Sequence, residues 1–379
     1  MSPVIRRARE QLRPADIDRL VRILQKGGVA VVPVDTVYGL IGKAFDKTVF
    51  DRMDTIKGDR RLPYAAIFSS LESIEEWVGG LNFRQRRFAA ALLPGPLSLI
   101  LNPTGNIPPD FRYRSSGIAV RVSSDTLLPT LAEKLGTPVW ASSANRSDDP
   151  APADFLSLNH NLIQAVDMVI DAGPTIFHDA STVVDLRSNT FKITREGPWL
   201  NRINKAIDRS SDPLEVLVVC SGNICRSPIA AAILQNADIP HIKVTSAGLD
   251  AFPDQCATPE MIDIAAEWGI DMRDHRSRPA PAEAIRNADM ILAATPEHHR
   301  RILQTEPRAR RKTFLMAGSI GESSIPDPYQ KGGEMYRTVA NLIRRAMEAW
   351  ISRLKGIAES EFSSEADFGE TGRDQSNSD

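Results

Sequence analysis

EVLVVCSGNICRSPIAAAILQNA, running from Glu215 to Ala237, holds the pattern from which the fold is read. EVLVVC is an unbroken aliphatic, largely β-branched run, the mark of a buried strand. SGNICRSP has the composition of a short loop. Pro228, favoured in the first turn of a helix, opens IAAAILQNA. A strand therefore delivers Cys220 to a tight loop that leads into a helix. Amide hydrogens of such a loop and the helix N-terminus converge on one point and make an anion cradle suited to phosphate. Gly222 is expected to let the backbone curl without a Cβ clash, and Asn223 to hold the loop and accept left-handed geometry. Arg226 offers a planar fork to two phosphate oxygens. The same positive field favours the nucleophilic thiolate of Cys220, and Ser227 can donate to the sulfur.

Working outward, KVTSAG, ADMILAA and RKTFLM read as further strands. TPEMIDIAAEWG reads as a helix capped by Thr258, and a last helix runs from about Gly333 to Lys355. Strand–helix alternation predicts a doubly wound parallel sheet, with ligands at the carboxyl ends of its strands. A phosphate ester also needs a proton donor for its leaving oxygen. Asp327 lies in IPDPYQKGG, stiffened by Pro326 and Pro328; taken alone it would be an ordinary turn carboxylate.

Cys220-x-Gly222-Asn223-x-Cys225-Arg226-Ser227-Pro228 resembles the signature of low-molecular-weight protein tyrosine phosphatases, and Asp327-Pro328-Tyr329 resembles their acid loop. Ser246-Ala247-Gly248 and His275-Arg276-Ser277 fall in the same order, so the resemblance covers residues 214–355. It implies Cys220 as the nucleophile, Arg226 as the transition-state clamp and Asp327 as acid then base. Ser221, Gly222, Asn223, Ile224, Cys225 and Ser227 would form the phosphate loop, with no cofactor. The implied substrate is a phosphorylated protein or a small aryl phosphate. Cys225 is either a protective disulfide partner of the nucleophile, as the resemblance implies, or a small buried residue. Ile224 is the tyrosine-type residue of this loop, where related arginine phosphatases carry Thr; Tyr329 would face it across an aromatic slot, or simply pack. Related arsenate reductases need further cysteines mid-fold, and ADMILAATPEHH has none.

The first half carries no Walker loop and no dinucleotide fingerprint. ADIDRLVRILQK, from Ala15 to Lys26, has helical spacing, and so do residues 84–93; VAVVPV, SLIL, GIAVRV, VDMVIDAG and STVVDL read as strands. The chain is expected to turn through Asp35 to Gly39. Lys57, Arg60 and Arg61 crowd one loop; Arg121, Ser143, Asn145, Ser181 and Arg195 lie at strand ends. From spacing these could line a cleft for a polyanion, or be solvated charges and ordinary turns. In order, PVDTVYGL, LPGPLS, GIAVRV, SSAN, STVVDL and ITREG resemble the YrdC-like threonylcarbamoyl-AMP synthase family over residues 10–205, with a twisted mixed sheet. The resemblance implies that ATP, L-threonine and bicarbonate give threonylcarbamoyl-AMP and pyrophosphate, in service of tRNA modification. Lys57 and Arg195 would meet phosphates, with Arg60 or Arg61 standing in for the family's displaced arginine, Ser143 and Asn145 the nucleotide, and Thr36, Arg121 and Ser181 the threonine, with Mg²⁺ on the triphosphate. Val34, Asp59 and Ile67 depart from the family pattern, so the domain reads either as a synthase or as a weakened nucleotide- or RNA-binding module attached to a phosphatase.

The whole chain has 379 residues, 42% hydrophobic and 25% charged, with formal charge −2, which makes no whole-chain case for nucleic-acid binding. Three cysteines fit a reducing compartment rather than a disulfide scaffold. With no signal peptide or membrane span legible, the expected location is cytoplasmic. AIDRSSDP, residues 206–213, reads as a linker, and residues 359–379 as a disordered acidic tail.

Overall fold

The computed structural model describes residues 4–6, 12–58, 64–103, 106–108, 111, 117–146 and 149–362. Asp59, Arg60 and Arg61 lie outside the described residues, as does 363–379 of the expected tail. The chain divides into two compact units, Met1–Ser210 and Ser211–Asp379. Among the described residues no helix is long and apolar enough to cross a membrane.

The first unit is built on one mixed sheet. Its described strands are β1 (Val4–Arg6), β2 (Val29–Pro33), β3 (Tyr38–Lys43), β4 (Ala65–Ile67), β5 (Leu97–Leu101), β6 (Ile118–Arg121), β7 (Val139–Ser143), β8 (Met168–Asp171), β9 (Thr182–Asp185) and β10 (Lys192–Arg195). Their order is β1-β8-β2-β3-β7-β4-β6-β5-β9-β10. Every residue of β2 is buried because the sheet is covered on both faces. Val29 and Val31 join Tyr38 and Leu40 in one core, while Ala30, Val32 and Ile41 join the helix Pro14–Gln25 in another.

Two expectations need correction here. The turn after VAVVPV is shorter than Asp35 to Gly39: Tyr38 already pairs with Pro33, so Tyr38–Lys43 is a full strand antiparallel to β2. Val29–Pro33 and Tyr38–Lys43 are both apolar enough to be buried, and only Val34 to Val37 remain to turn. The stretch 206–213 is not all linker, because the helix Leu200–Ser210 carries it to Ser210, burying Ile203 and Ala206.

The second unit has four parallel strands, β11 (Leu214–Cys220), β12 (Ile242–Gly248), β13 (Met290–Ala293) and β14 (Thr313–Leu315), in the order β12-β11-β13-β14. The chain leaves β11 for one neighbour and later returns to the other. The strand order therefore reverses at β11, which opens a crevice at its carboxyl end. Leu217 and Val219 pack on one face with Ile285, Ile291 and Ile302. The last helix continues to Phe362 rather than Lys355, so 359–362 of the expected tail are helical; Ala358 and Glu361 are buried.

Candidate functional site

Cys220 ends β11, 2% exposed. The loop after it is tied down from outside. Leu249 donates its amide to Cys220 O at 3.0 Å, Asp250 to Ser221 O at 3.0 Å and Thr258 to Ile224 O at 2.9 Å. These bonds use the loop carbonyls and turn them away. The amide hydrogens of Gly222, Asn223 and Ile224 find no acceptor among the described residues, the arrangement an anion would complete.

The left-handed residue of the loop is Asn223, with φ 54°. Gly222 has no positive φ, and a Cβ there would meet nothing nearer than Ile224 Cγ1 at 3.5 Å, so the curl expected of Gly222 belongs to Asn223. Asn223 earns its position through its side chain. Its Nδ2 donates to Ser227 Oγ and to Ser246 Oγ, each at 2.9 Å, and its Oδ1 accepts from Arg278 N at 3.0 Å. His275 Nε2 lies 2.8 Å from Asn223 O; burial lowers the imidazole's pKa against the opposing pull of that carbonyl. Ser227 Oγ stands 3.0 Å from Cys220 Sγ. Gly248 is the glycine the loop requires, because a Cβ there would lie 2.3 Å from Ser221 O and 2.9 Å from Asn223 N.

The helix Arg226–Asn236 begins two residues before Pro228, so the proline still occupies the first turn. Arg226 is buried and sits between three oxygens. Its Nη1 donates to Ile325 O at 3.3 Å, and its Nη2 donates to Ser221 Oγ at 3.2 Å and Asp327 Oδ2 at 2.6 Å. Asp327 is thus brought to the loop from the far end of the unit, its side chain 45% exposed against 5% for Arg226. Its Oδ1 also accepts from Tyr329 N at 3.2 Å, so the turn role and the site role coexist in one carboxylate. Tyr329 is 49% exposed, on the surface rather than packed.

Cys225 points elsewhere. Its Sγ lies 3.6 Å from Thr258 Oγ1 and donates to Tyr336 OH at 4.0 Å. Burial pushes its thiol up to about 11. Thr258 occupies the N-cap position without capping through its hydroxyl, which faces this sulfur instead. All three cysteines are free, and Cys256 is exposed. The sequence reading missed His298. It lies in the helix Pro296–Thr305 beyond the carboxyl end of β13, with Nε2 2.9 Å from Ser221 Oγ. Its position just past a strand end was the available signal.

In the first unit the expected residues fall into three linked groups. Arg121 donates to Thr36 Oγ1 at 3.1 Å, to Gly95 O at 3.3 Å and to Asp35 Oδ1. Burial pushes the Asp35 carboxyl up, but the Arg121 guanidinium and bonds from Ser124 and Ser123 outweigh it and leave it below its ordinary value. Arg195 donates to Ser181 O and Ser181 Oγ, both at 2.9 Å, and Ser181 Oγ is 2.9 Å from Ser98 Oγ. Thr182 N donates to Pro96 O at 3.0 Å, beside the Gly95 that Arg121 holds. Lys57 is buried, donating to Ser143 O at 2.6 Å, to Asn145 O and to Asn145 Oδ1 at 3.2 Å. Ser143 is opposite Gly39 across the β3–β7 pair, two residues beyond the turn that holds Thr36.

Residues 22–197 match the family model of Sua5, YciO and YrdC, described as telomere recombination. Residues 215–359 match the model of the low molecular weight phosphotyrosine protein phosphatases. The low molecular weight protein-tyrosine-phosphatase Etp of Escherichia coli K12 is 38% identical over 139 residues, spanning 37% of this chain and 93% of that protein. The corresponding phosphatase Wzb of the same strain is 39% identical over 139 residues, spanning 37% and 94%. A solved Sua5 structure from P. abyssi aligns over 83% of this chain and 98% of its own, with TM-score 0.52 and 20% identity, a likeness of fold.

Proposed function

We propose, from the premise that this chain belongs through residues 215–359 to the low molecular weight phosphotyrosine protein phosphatases and carries a Sua5- and YrdC-type domain before them, that it is a bifunctional enzyme: a cysteine-dependent phosphotyrosine phosphatase joined to an L-threonylcarbamoyladenylate synthase. The observation that carries the first activity is the meeting of Arg226 with Asp327 at 2.6 Å beside a loop whose Cys220 Sγ lies 3.0 Å from Ser227 Oγ.

The reaction follows from these contacts. The Cys220 thiolate attacks phosphorus in line with the ester oxygen, and the S–P bond forms as the P–O bond breaks. Asp327, in its acid form, gives its proton to the departing oxygen. Arg226 leaves Asp327 for two equatorial phosphate oxygens, and the loop amides take the remaining negative charge. Water then attacks the phosphocysteine, the Asp327 carboxylate accepts its proton, and the S–P bond breaks. Asn223 donates to Ser227 Oγ, and the single Ser227 proton, which can reach Ala247 O at 3.3 Å, turns to Cys220 Sγ at 3.0 Å to stabilise the departing sulfur. No step calls on a cofactor. Phosphorylated proteins and small aryl phosphates are the substrates this reading names, with Ile224 and the exposed Tyr329 beside the entering ring.

For the synthase, the threonine amine adds to bicarbonate with loss of water, and the resulting carbamate attacks the α-phosphorus of ATP and displaces pyrophosphate. Arg195, Ser181, Thr36, Arg121, Lys57, Ser143 and Asn145 are the groups assigned to the substrates, with Arg61 outside the described residues. Mg²⁺ enters as the counter-ion of ATP; among the described residues no cluster of three or more metal-ligating side chains exists to hold it. ATP as substrate and three free thiols suit a cytoplasmic setting. Proteins or RNA of tRNA modification would be the onward partners.

A second reading has an observation of its own. Lys57 donates to three oxygens of Ser143 and Asn145, and Arg121 to Asp35, Thr36 and Gly95, so both cations are committed to the protein. In that reading the first unit is a nucleotide- or RNA-binding regulatory module. The full chain bearing Cys220→Ser, given ATP, threonine, bicarbonate and Mg²⁺, is expected to release pyrophosphate only when threonine is present. Threonine-independent or absent release leaves the module. In parallel, wild type hydrolyses an aryl phosphate and Cys220→Ser does not; equal rates would end the cysteine chemistry.

A further inference from the structure

We propose that His298 is a positioning residue for the phosphate clamp, acting through the Ser221 hydroxyl to hold Arg226 ready while the guanidinium exchanges Asp327 for substrate. The proposal rests on the phosphatase reading of the same site.

Arg226 has three contacts, and one of them must break in every turnover. Asp327 is at once the partner of Arg226 and the acid, and it has to be released when phosphate arrives. The other two contacts, Ile325 O and Ser221 Oγ, are what remain to fix the fork. Ile325 O is backbone, itself anchored because Ile325 N donates to Ala294 O at 2.8 Å. Ser221 Oγ is a hydroxyl on a single rotatable bond and needs an anchor.

His298 supplies it. The imidazole is 4% exposed and is held at both nitrogens. Thr295 Oγ1 accepts the His298 amide at 3.3 Å as a helix cap and lies 2.7 Å from Nδ1. In the proposed arrangement the threonine hydroxyl, already accepting the amide, donates its own proton to Nδ1, and the ring proton sits on Nε2, 2.9 Å from Ser221 Oγ. Ser221 Oγ then accepts from both His298 and Arg226, and its own proton is left to turn toward the anion. The charged groups facing the ring are Arg226, Arg301, Asp250 and Asp327. Burial first, then the two arginines, lower the imidazole to about 4, so it stays neutral at the pH of catalysis and adds no charge beside the clamp. Arg301 is itself held by Asp250 at 2.7 Å through both Nη atoms.

The test uses the full chain and two readouts: kcat/KM for an aryl phosphate, and the affinity for inorganic phosphate measured by calorimetry. His298→Leu, which keeps bulk and loses the bond, is expected to weaken both by roughly ten-fold, the size of one lost bond to a charged network. Ser221→Ala should do the same, and the double variant should be no worse than either single one. His298→Gln, whose terminal amide reaches the Nε2 position, should recover most of the loss and keep the wild-type pH profile. Independent, multiplying effects of His298→Leu and Ser221→Ala would overturn the proposal. So would a His298→Leu variant of unchanged phosphate affinity, or a His298→Gln variant that loses a limb of the pH profile, which would make His298 an acid or base. A chain that binds phosphate in this pattern yet hydrolyses no aryl phosphate would refute the phosphatase reading and leave the positioning role standing.

Discussion

At the scale of single residues, burial and partner choice decide which groups do chemistry. Cys220 and Cys225 sit five positions apart in one loop, yet Cys225 faces Thr258 and Tyr336, and burial pushes its thiol up to about 11. It is therefore a thiol at neutral pH. Brief iodoacetamide treatment at pH 7, followed by peptide mapping, should label Cys220 and the exposed Cys256 and leave Cys225 untouched. Labelling of Cys225 ahead of Cys220 would contradict the assignment of the nucleophile. In the first unit, Asp35 lies below its ordinary value of 3.8 when folded, so its contribution to stability is complete above that value and is lost as pH falls through the lowered one. Asp35→Asn should cost about 3–5 kcal/mol at pH 7, because it leaves Arg121 buried against a neutral group. It should also flatten the acid limb of the urea midpoint, and a midpoint unchanged at pH 7 would show that Arg121 finds another partner.

At the scale of elements, close approach sets the requirements. The end of β12 runs so near the loop after β11 that Gly248→Ala would press a Cβ 2.3 Å from Ser221 O. Neither backbone can give way without moving the loop, so we expect a loss of about 1–3 kcal/mol in chemical denaturation and a larger fractional loss of turnover. Full activity in that variant would mean that the loop tolerates displacement. Much of this layout was legible beforehand. EVLVVC and its successors read as parallel strands because a strand covered on both faces is apolar throughout. What could not be read was the position of the turn after Pro33, since VYGLIG is as apolar as VAVVP and its pairing is a tertiary fact. The left-handed geometry expected of Asn223 is found there, held by three side-chain bonds, while the curl expected of Gly222 is not, since Gly222 has no positive φ. His298 escaped notice because its partner, Ser221, lies 77 positions away. The groups around Lys57, Arg121 and Arg195 were each nameable from sequence, but their bonds to Ser143 and Asn145, to Asp35, Thr36 and Gly95, and to Ser181 are tertiary facts.

At the scale of the whole molecule, the chain divides into two compact units, and the loop with the phosphatase signature belongs to the second. In the second unit the order β12-β11-β13-β14 makes the carboxyl end of β11 the point where the strand order reverses, and Cys220, the proposed nucleophile, stands there. That placement is the central claim, and covalent capture tests it most directly. The full chain is mixed with an aryl phosphate, quenched in acid within the first turnover, and mapped by mass spectrometry. The account predicts one phosphoryl group on the sulfur of Cys220 and none in Cys220→Ser. Hydrolysis by the wild type with the phosphoryl group on another residue, or undiminished hydrolysis by Cys220→Ser, would contradict it.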